Sequence, residues 1–434
     1  MATKFIIVEP NNLNVRRLLL QIVVLIICAF NLNGQNAVVY TNANIHNGLG
    51  KVIEKGYLVI ANGKIIDVGE KLNVLHKNAK VIDLEGKHIY PGLIALNNYA
   101  GLNEIDAVRA TRDYSETGLI NPNVRSLIAF NTDSKILPTF TFNGILYTQA
   151  VPIGGLISGS SSLMKTQAWN WEDAVVKADD GIHINWPDMT LRSNKKEDER
   201  NKQLKSQLEM IEQFFADCEA YYKINSPVDI NLKIEAMRPV FDGKANLYVH
   251  AINAKSIITA INFFKIKYPN LKLVLVEAGD AWQVIDLIKK YNIPVVLTNI
   301  HRLPKNNHSD IDEPFKAAAK LVEAGVLTAI GHSGSWEARN IMFNAGTCAA
   351  YGLSKEQALQ LITYNAAKIL GVEHKLGSIQ IGLDASFTIT KGDILDMKES
   401  IVLEAYLEGE TIDLKNHQFQ LYKKYSDKYK ITEQ

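Results

Sequence analysis

Three cysteines in 434 residues are too few to build a disulfide framework. A charge surplus is missing too. Lys and Arg number 47 against 46 for Asp and Glu, for a net charge of +1. That balance gives no global pull toward nucleic acid or an anionic membrane, and the basic residues are not interleaved with aromatics as in a nucleic-acid-binding face. No apolar run is long enough to cross a bilayer. Internal repeats and low-complexity tracts are absent as well. What is present is a composition of 47% hydrophobic and 21% charged residues. This excludes a disordered or fibrous chain and supplies enough apolar surface for a large core.

The longest apolar run, residues 18–30 (LLLQIVVLIICAF), follows Arg16 and Arg17. At 13 residues it has the length of a signal-peptide core, and Gly34 offers a small residue for cleavage. Residues 1–34 are therefore expected to be a signal peptide, and the chain to be exported to a bacterial periplasm or secreted. The mature chain, with no transmembrane span, would carry a net charge of −1 and retain Cys218 and Cys348.

Residues 36–90 read as short strands joined by turns. Asn62-Gly63 is a pair that favours a tight hairpin, and Asn47-Gly48 is a second turn signal. From Pro91 onward the rhythm changes, and apolar strand-like runs alternate with helical ones. Residues 246–250, 271–276, 294–298 and 326–330 read as strands, with helices at 254–267, 281–291, 313–324, 336–351 and 354–370 between and after them. Such alternation predicts an α/β fold with a parallel sheet or barrel. Leu204, Leu208, Ile211, Phe215, Cys218 and Tyr222 recur at helical spacing and mark an amphipathic helix on its exterior. From residue 377 the chain returns to short strands, so the small β module is split between the two ends.

Three segments carry a family resemblance. They are residues 56–69 (GYLVIANGKIIDVG), residues 81–94 (VIDLEGKHIYPGLI), and the C-terminal set 351–359 (YGLSKEQAL), 362–371 (ITYNAAKILG) and 376–385 (LGSIQIGLDA). Together they resemble the amidohydrolase superfamily, most closely its imidazolonepropionase-like branch. The resemblance implies a (β/α)8 TIM barrel over residues 91–376, set in a small β-sandwich built from residues 36–90 and 377–434. It also implies zinc or another divalent metal at the barrel mouth, where the metal would activate water and polarise a carbonyl.

The metal motif itself departs from the family pattern. The first strand normally ends with an acid and two histidines, yet residues 91–99 read PGLIALNNY, placing Asn97 and Tyr99 at the histidine positions. Neutral amide and phenol oxygens are poor zinc ligands beside imidazole. His250 matches the fifth-strand histidine. Glu277 stands near the sixth-strand position, and Ser333, preceded by His332, replaces the last-strand aspartate. His250 and Glu277 are thus the candidate metal ligands, and Ser333, His332, Asn97 and Tyr99 mark the catalytic positions. Arg109 and Arg112, in the charged run 104–113, and His301, in the polar loop 299–312 that also carries His308, are candidate substrate contacts. Residues 154–162 (GGLISGSSS) lack the ending of a phosphate loop and read as a tight loop over the mouth. Cys348 reads as core. Trp169, Trp171 and Trp186 lie close together in sequence. The expected reaction is hydrolysis of a carbon–nitrogen bond in a small amide, cyclic amide or dipeptide-like substrate. The alternative is a pseudoenzyme that binds a ligand or supports a related intact amidohydrolase.

Overall fold

The computed structural model describes residues 37–72, 79–190, 196–224, 229–304 and 309–431. The expected signal peptide and His308 lie outside them. Among the described residues no helix is long and apolar enough to cross a membrane.

Five strands open the chain: β1 (Val38–His46), β2 (Val52–Ala61), β3 (Lys64–Gly69), β4 (Lys80–Asp83) and β5 (His88–Pro91). Asn62 and Gly63, both at positive φ, make the two-residue hairpin between β2 and β3. β1 forks the sheet, since Val38–Thr41 pairs with β4 while Asn44 and Ile45 pair with β5. After the barrel, β14 (Phe387–Thr390) returns to pair with β5, followed by β15 (Val402–Leu407) and β16 (Glu410–Thr411). A separate β-sheet domain thus joins both ends of the chain. Its core packs Tyr40, Phe387 and Tyr406, with the rings of Phe387 and Tyr406 stacked 4.7 Å apart.

Between these halves lie β6 (Leu93–Asn98), β7 (Ile145–Ala150), β8 (Ile157–Lys165), β9 (Val175–Asn185), β10 (Asn246–Ala251), β11 (Leu273–Glu277), β12 (Val295–Thr298) and β13 (Thr328–Gly331). They close into an eight-stranded α/β barrel in which β13 pairs back to β6. The strands run parallel except β8, which is antiparallel to both neighbours. Residues 157–162 therefore belong to a barrel strand, correcting the expectation of a loop over the mouth, and only Gly154, Gly155 and Leu156 remain in the turn. The small side chains have a packing reason. A Cβ on Gly159 would come within 2.5 Å of the Val124 carbonyl oxygen, because residues 120–125 run alongside β8.

Helices cover the barrel. Helix Glu197–Tyr222 buries Ile211, Phe215 and Cys218 of the expected face, with Leu204, Leu208 and Tyr222 partly buried, and it also buries Phe214 and Tyr221. Phe215 packs against Phe264 of helix Ala254–Lys267 at 5.2 Å. Full burial of each such ring contributes about 1.5–3 kcal/mol. The run 354–370, expected as one helix, breaks into Lys355–Gln360 and Tyr364–Leu370. Helix His417–Tyr429, which buries no residue, had no counterpart in the sequence reading. Cys218 and Cys348 are separate buried thiols. Trp186 is buried against Phe263 and Phe264, whereas Trp169 is exposed, so the three tryptophans form no common surface.

Candidate functional site

A cavity of about 190 Å³ opens at the C-terminal end of the barrel strands. Asn97, Tyr99, His250, Glu277 and Ser333 all line it, together with Asn185, Ser158 and the loop Val151–Ile153. Residues from four segments far apart in the chain therefore converge where the sequence placed them. His332 does not line this cavity. It is half-buried, its Nδ1 accepts from the Gly334 N–H at 3.0 Å, and burial lowers its pKa. His301 is exposed, pairs with Thr347 Oγ1 at 2.6 Å and faces a separate depression with Lys355 and Asp393. Arg109 is exposed, Arg112 is half-exposed, and neither lines the cavity. The charged run that carries them folds onto itself, with Thr111 Oγ1 bonding the Ile105 backbone and Asn103 pairing with Asp106.

Strand geometry explains how some of these side chains reach the mouth. Val274 and Val276 pack with the barrel interior while Leu275 packs with the outer layer. Simple alternation would then aim Glu277 outward. Instead Glu277 and Ala278 have φ of 68° and 37°, and this left-handed turn brings Glu277 to the cavity. Asn97, the penultimate residue of β6, and Asn299, just after β12, share this conformation, with φ of 54° and 53°. Asparagine tolerates that region well, but two consecutive non-glycine residues there cost on the order of 1 kcal/mol or more each. Asn299 Nδ2 donates to Ser333 Oγ at 2.9 Å, fixing the serine on the opposite wall from His250.

Sequence reasoning missed the residues behind His250. His183, on β9, is fully buried, and its Nδ1 lies 2.8 Å from His250 Nε2. Its Nε2 lies 2.8 Å from Ser161 Oγ. Ser161 donates to Asp180 Oδ1 at 2.9 Å, while Tyr248 OH and Gln149 Nε2 donate to Asp180 Oδ2 at 2.5 and 2.9 Å. A bulge makes this possible. Between the pairs Leu163–Lys177 and Ser161–Gly181, β9 carries two extra residues, and Asp179 takes φ 46°. Gly181 leaves room for Tyr248, since a Cβ there would sit 2.4 Å from its ring. The His183 ring stacks on Tyr248 at 4.5 Å. Burial holds the His183 pKa well below the usual imidazole value, with the neighbouring His250 adding to the effect. Burial likewise raises the Asp180 carboxyl above its ordinary value, opposed by its three donors. The available signals were the alternation of residues 181–185 (GIHIN), which puts a histidine inside an apolar strand, and the serine cluster 160–162.

The Amidohydrolase family profile matches residues 149–418, more than half of the chain. The chain belongs to the amidohydrolase family. An amidohydrolase from Thermotoga maritima MSB8 superposes with a TM-score of 0.76 at 24% identity, covering 87% of this chain and 99% of that one. Imidazolonepropionase from Streptococcus gordonii is 21% identical over 407 residues, covering 80% of this chain and 86% of the relative. Amidohydrolase tasK from Hapsidospora irregularis is 27% identical over 121 residues, which is 24% of this chain and 12% of that protein.

Members of this family typically hold divalent metals, so the donor set of this amidohydrolase can be tested for one. A structural or catalytic zinc takes at least three thiolate, imidazole or carboxylate donors around one point. Among the described residues no three His, Cys, Asp or Glu side chains are so placed. His250 Nδ1 and Glu277 Oε1, 3.6 Å apart, supply two donors. The remaining polar side chains of the cavity are the neutral amides and hydroxyls of Asn97, Asn98, Tyr99, Asn185, Ser158 and Ser333. His183 cannot complete the set, because both of its ring nitrogens are engaged, by Ser161 and by His250. Among the described residues the donor set thus falls short of the three that such a metal takes.

Proposed function

We propose that this protein is an exported amidohydrolase that acts on the carbon–nitrogen bond of a small amide-type molecule held at the barrel mouth. The observation that carries this reading is the pair His250 and Glu277, set at one wall of a cavity otherwise lined by amides and hydroxyls. The volume of 190 Å³ corresponds to about six water molecules, so it takes a small molecule or one end of a larger one. Asn97, Asn185, Ser158 and Ser333 offer both donors and acceptors, which complements an amide group. Family membership and the likeness to imidazolonepropionase support a cyclic amide or dipeptide-like substrate. In this reading His250 takes a proton from water as the water oxygen bonds to the amide carbon. The proton then passes to the nitrogen as the carbon–nitrogen bond breaks. The 13-residue apolar run before Gly34 supports export, and an N-terminus near Gln35 in protein recovered from the cell envelope or medium checks it.

A second reading is favoured by the neutral side chains at Asn97, Tyr99 and Ser333, which can hold a ligand but not take a proton at neutral pH. Here the protein binds the same class of molecule without turnover, alone or beside a related intact amidohydrolase. One experiment separates the two. Mature protein, residues 35–434, is treated with chelator and given a panel of cyclic amides and dipeptides, with hydrolysis and calorimetric binding measured in parallel. Turnover that falls by about 10²–10⁴-fold in His250→Ala supports the hydrolase, the range expected for removal of a general base. Binding without turnover supports the second reading, and neither binding nor turnover across the panel removes both.

A further inference from the structure

Behind the cavity wall a line of hydrogen bonds runs from Asp180 through Ser161 and His183 to His250, in links of 2.9, 2.8 and 2.8 Å. The first three of these residues have no solvent exposure. In such a site each proton must have an assigned place, because an unmet donor or acceptor has no water to turn to. Three groups donate to Asp180: Tyr248 OH, Gln149 Nε2 and Ser161 Oγ. Tyr248 OH in turn accepts from Asn246 Nδ2 at 3.1 Å, which leaves its own proton for Asp180. A carboxylate, acceptor-only, satisfies all three donors.

The polarity of the whole line follows. Ser161 has a single hydroxyl proton, and Asp180 at 2.9 Å receives it in preference to the Gly181 carbonyl at 3.4 Å. Ser161 Oγ must therefore accept from His183, which places the His183 proton on Nε2. The groups that touch His183 are Ser161, Tyr248 and His250, none of them an anion, so the buried ring carries that one proton and its Nδ1 is an acceptor. His250 must then donate from Nε2. The geometry points to Asp180, Ser161 and His183 as positioning residues that hold His250 in its Nε2–H tautomer, presenting the Nδ1 lone pair to the cavity. The inference deepens the proposed hydrolase, for which a lone pair aimed at the mouth is what a proton acceptor needs, and it rests on that reading for its functional meaning.

The competing arrangement is a reversed line. Glu277 Oε1, 3.6 Å from His250 Nδ1, would favour a proton on that nitrogen. His183 would then donate to His250 from Nδ1, Ser161 would donate to His183, and Asp180 would lose a donor in a dry site. At 3.6 Å the Glu277 contact is too long for a hydrogen bond, whereas Ser161 and Asp180 are bonded at 2.9 Å. A charge-assisted hydrogen bond is roughly twice as strong as a neutral one, so the Asp180 end sets the direction.

The test reads the tautomers directly. Protein labelled with ¹⁵N-histidine and stripped with chelator is placed at about pH 8, above the ordinary imidazole range. Long-range ¹H–¹⁵N spectra are assigned with His250→Gln and His183→Gln. The expected result is one tautomer at each ring: a protonated Nε2 and an unprotonated Nδ1. A proton on His250 Nδ1, on both of its nitrogens, or shared between tautomers overturns the inference. In Ser161→Ala the anchor is gone, and His250 is expected to shift from one tautomer to a mixture. Ser161→Thr, which keeps the hydroxyl, is expected to retain the single form. An unchanged single tautomer in Ser161→Ala overturns the positioning role. Should that variant fail to fold, Asp180→Asn replaces the carboxylate by an amide that both accepts and donates, and the same mixture is expected. Missing turnover with the expected spectrum defeats the hydrolase reading alone, while turnover with the opposite tautomer defeats the relay alone.

Discussion

The two walls of the cavity are built from different chemistry. On the side of β9, β10 and β11 stand His250 and Glu277, backed by His183 and Asp180. On the side of β6, β12 and β13 stand Asn97, Tyr99, Asn299 and Ser333, all uncharged. Zinc takes three or more thiolate, imidazole or carboxylate donors, and among the described residues this cavity offers His250 and Glu277, both on one side. The ionisable wall has also acquired depth, with its hydrogen bonds continuing inward to a buried carboxylate. The neutral wall ends at the pair formed by Asn299 and Ser333. A bound molecule would therefore meet proton-accepting groups on one side and hydrogen-bonding surface on the other, which fixes its orientation.

The difference in depth is tested by stability. Asp180→Ala takes the shortest acceptor from three buried donors and leaves Gln149 and Ser161 only longer contacts of 3.3 and 3.4 Å, so a loss on the order of 4 kcal/mol is expected by urea unfolding. Asn299→Ala releases the half-buried Ser333 hydroxyl on the other wall and is expected to cost about 1 kcal/mol. Equal losses would erase the contrast between the walls.

The missing donors can be restored. In Asn97→His, Tyr99→His, Ser333→Asp the neutral wall regains two imidazoles and a carboxylate opposite His250. Zinc loading followed by desalting and plasma mass spectrometry is expected to give close to one metal per chain in this triple variant and well below that in the wild type. Stoichiometric metal in the wild type, lost in His250→Ala, would show that the existing donors suffice.

A smaller effect comes from His183. Its pKa is depressed in the folded state, so below the ordinary imidazole value of about 6.5 the unfolded chain binds a proton that the native chain does not. Stability is therefore expected to fall as pH drops below about 6.5, with this residue contributing up to about 1.4 kcal/mol per pH unit, and nothing above it. Asp180, whose pKa is raised, acts in the opposite sense in a window beginning at the ordinary carboxylate value. The difference between wild type and His183→Gln isolates the histidine. Parallel stability curves from pH 7 to 5 would show that His183 is not held neutral.

How much of this was legible in the sequence depends on what period-two reasoning can see. His250 was placed by its position at a strand end and its match to the fifth-strand histidine, and the strand's regular alternation, with Tyr248 also inward and Val249 outward, agrees with that placement. Asn97, Glu277 and Ser333 were placed by matching motifs rather than by periodicity, and alternation alone would have turned Glu277 away from the mouth. Its left-handed backbone is a tertiary outcome that no local preference for glutamate predicts. Asp180 and His183 were hidden for a related reason. The two-residue bulge in β9 breaks the alternation that would otherwise have aligned them, and the reversed strand β8 made Ser161 read as part of a glycine-rich loop. Strand–helix alternation pointed to a parallel sheet or barrel and to the split sheet domain, because those rest on long-range apolar patterning, and the family resemblance implied the barrel. The proton-handling network rests on two local irregularities, and these leave little trace in a single sequence.

The smallest expected effect concerns the arginines after the first barrel strand. Sequence patterning offered Arg109 and Arg112 as substrate contacts, but neither lines the cavity. An exposed guanidinium beyond the rim still adds to the local field, yet between solvated groups this is screened within about 8 Å at physiological salt. Arg109→Ala and Arg112→Ala are therefore expected to change stability by no more than about 0.5 kcal/mol, as surface substitutions usually do. They should leave binding of a neutral amide within a factor of about two, since 0.4 kcal/mol corresponds to that ratio. Calorimetry on the molecule bound by the wild type makes the comparison. A tenfold loss of affinity in either variant would mean that the run 104–113 folds over the mouth when occupied, and that the neutral wall has a charged member after all.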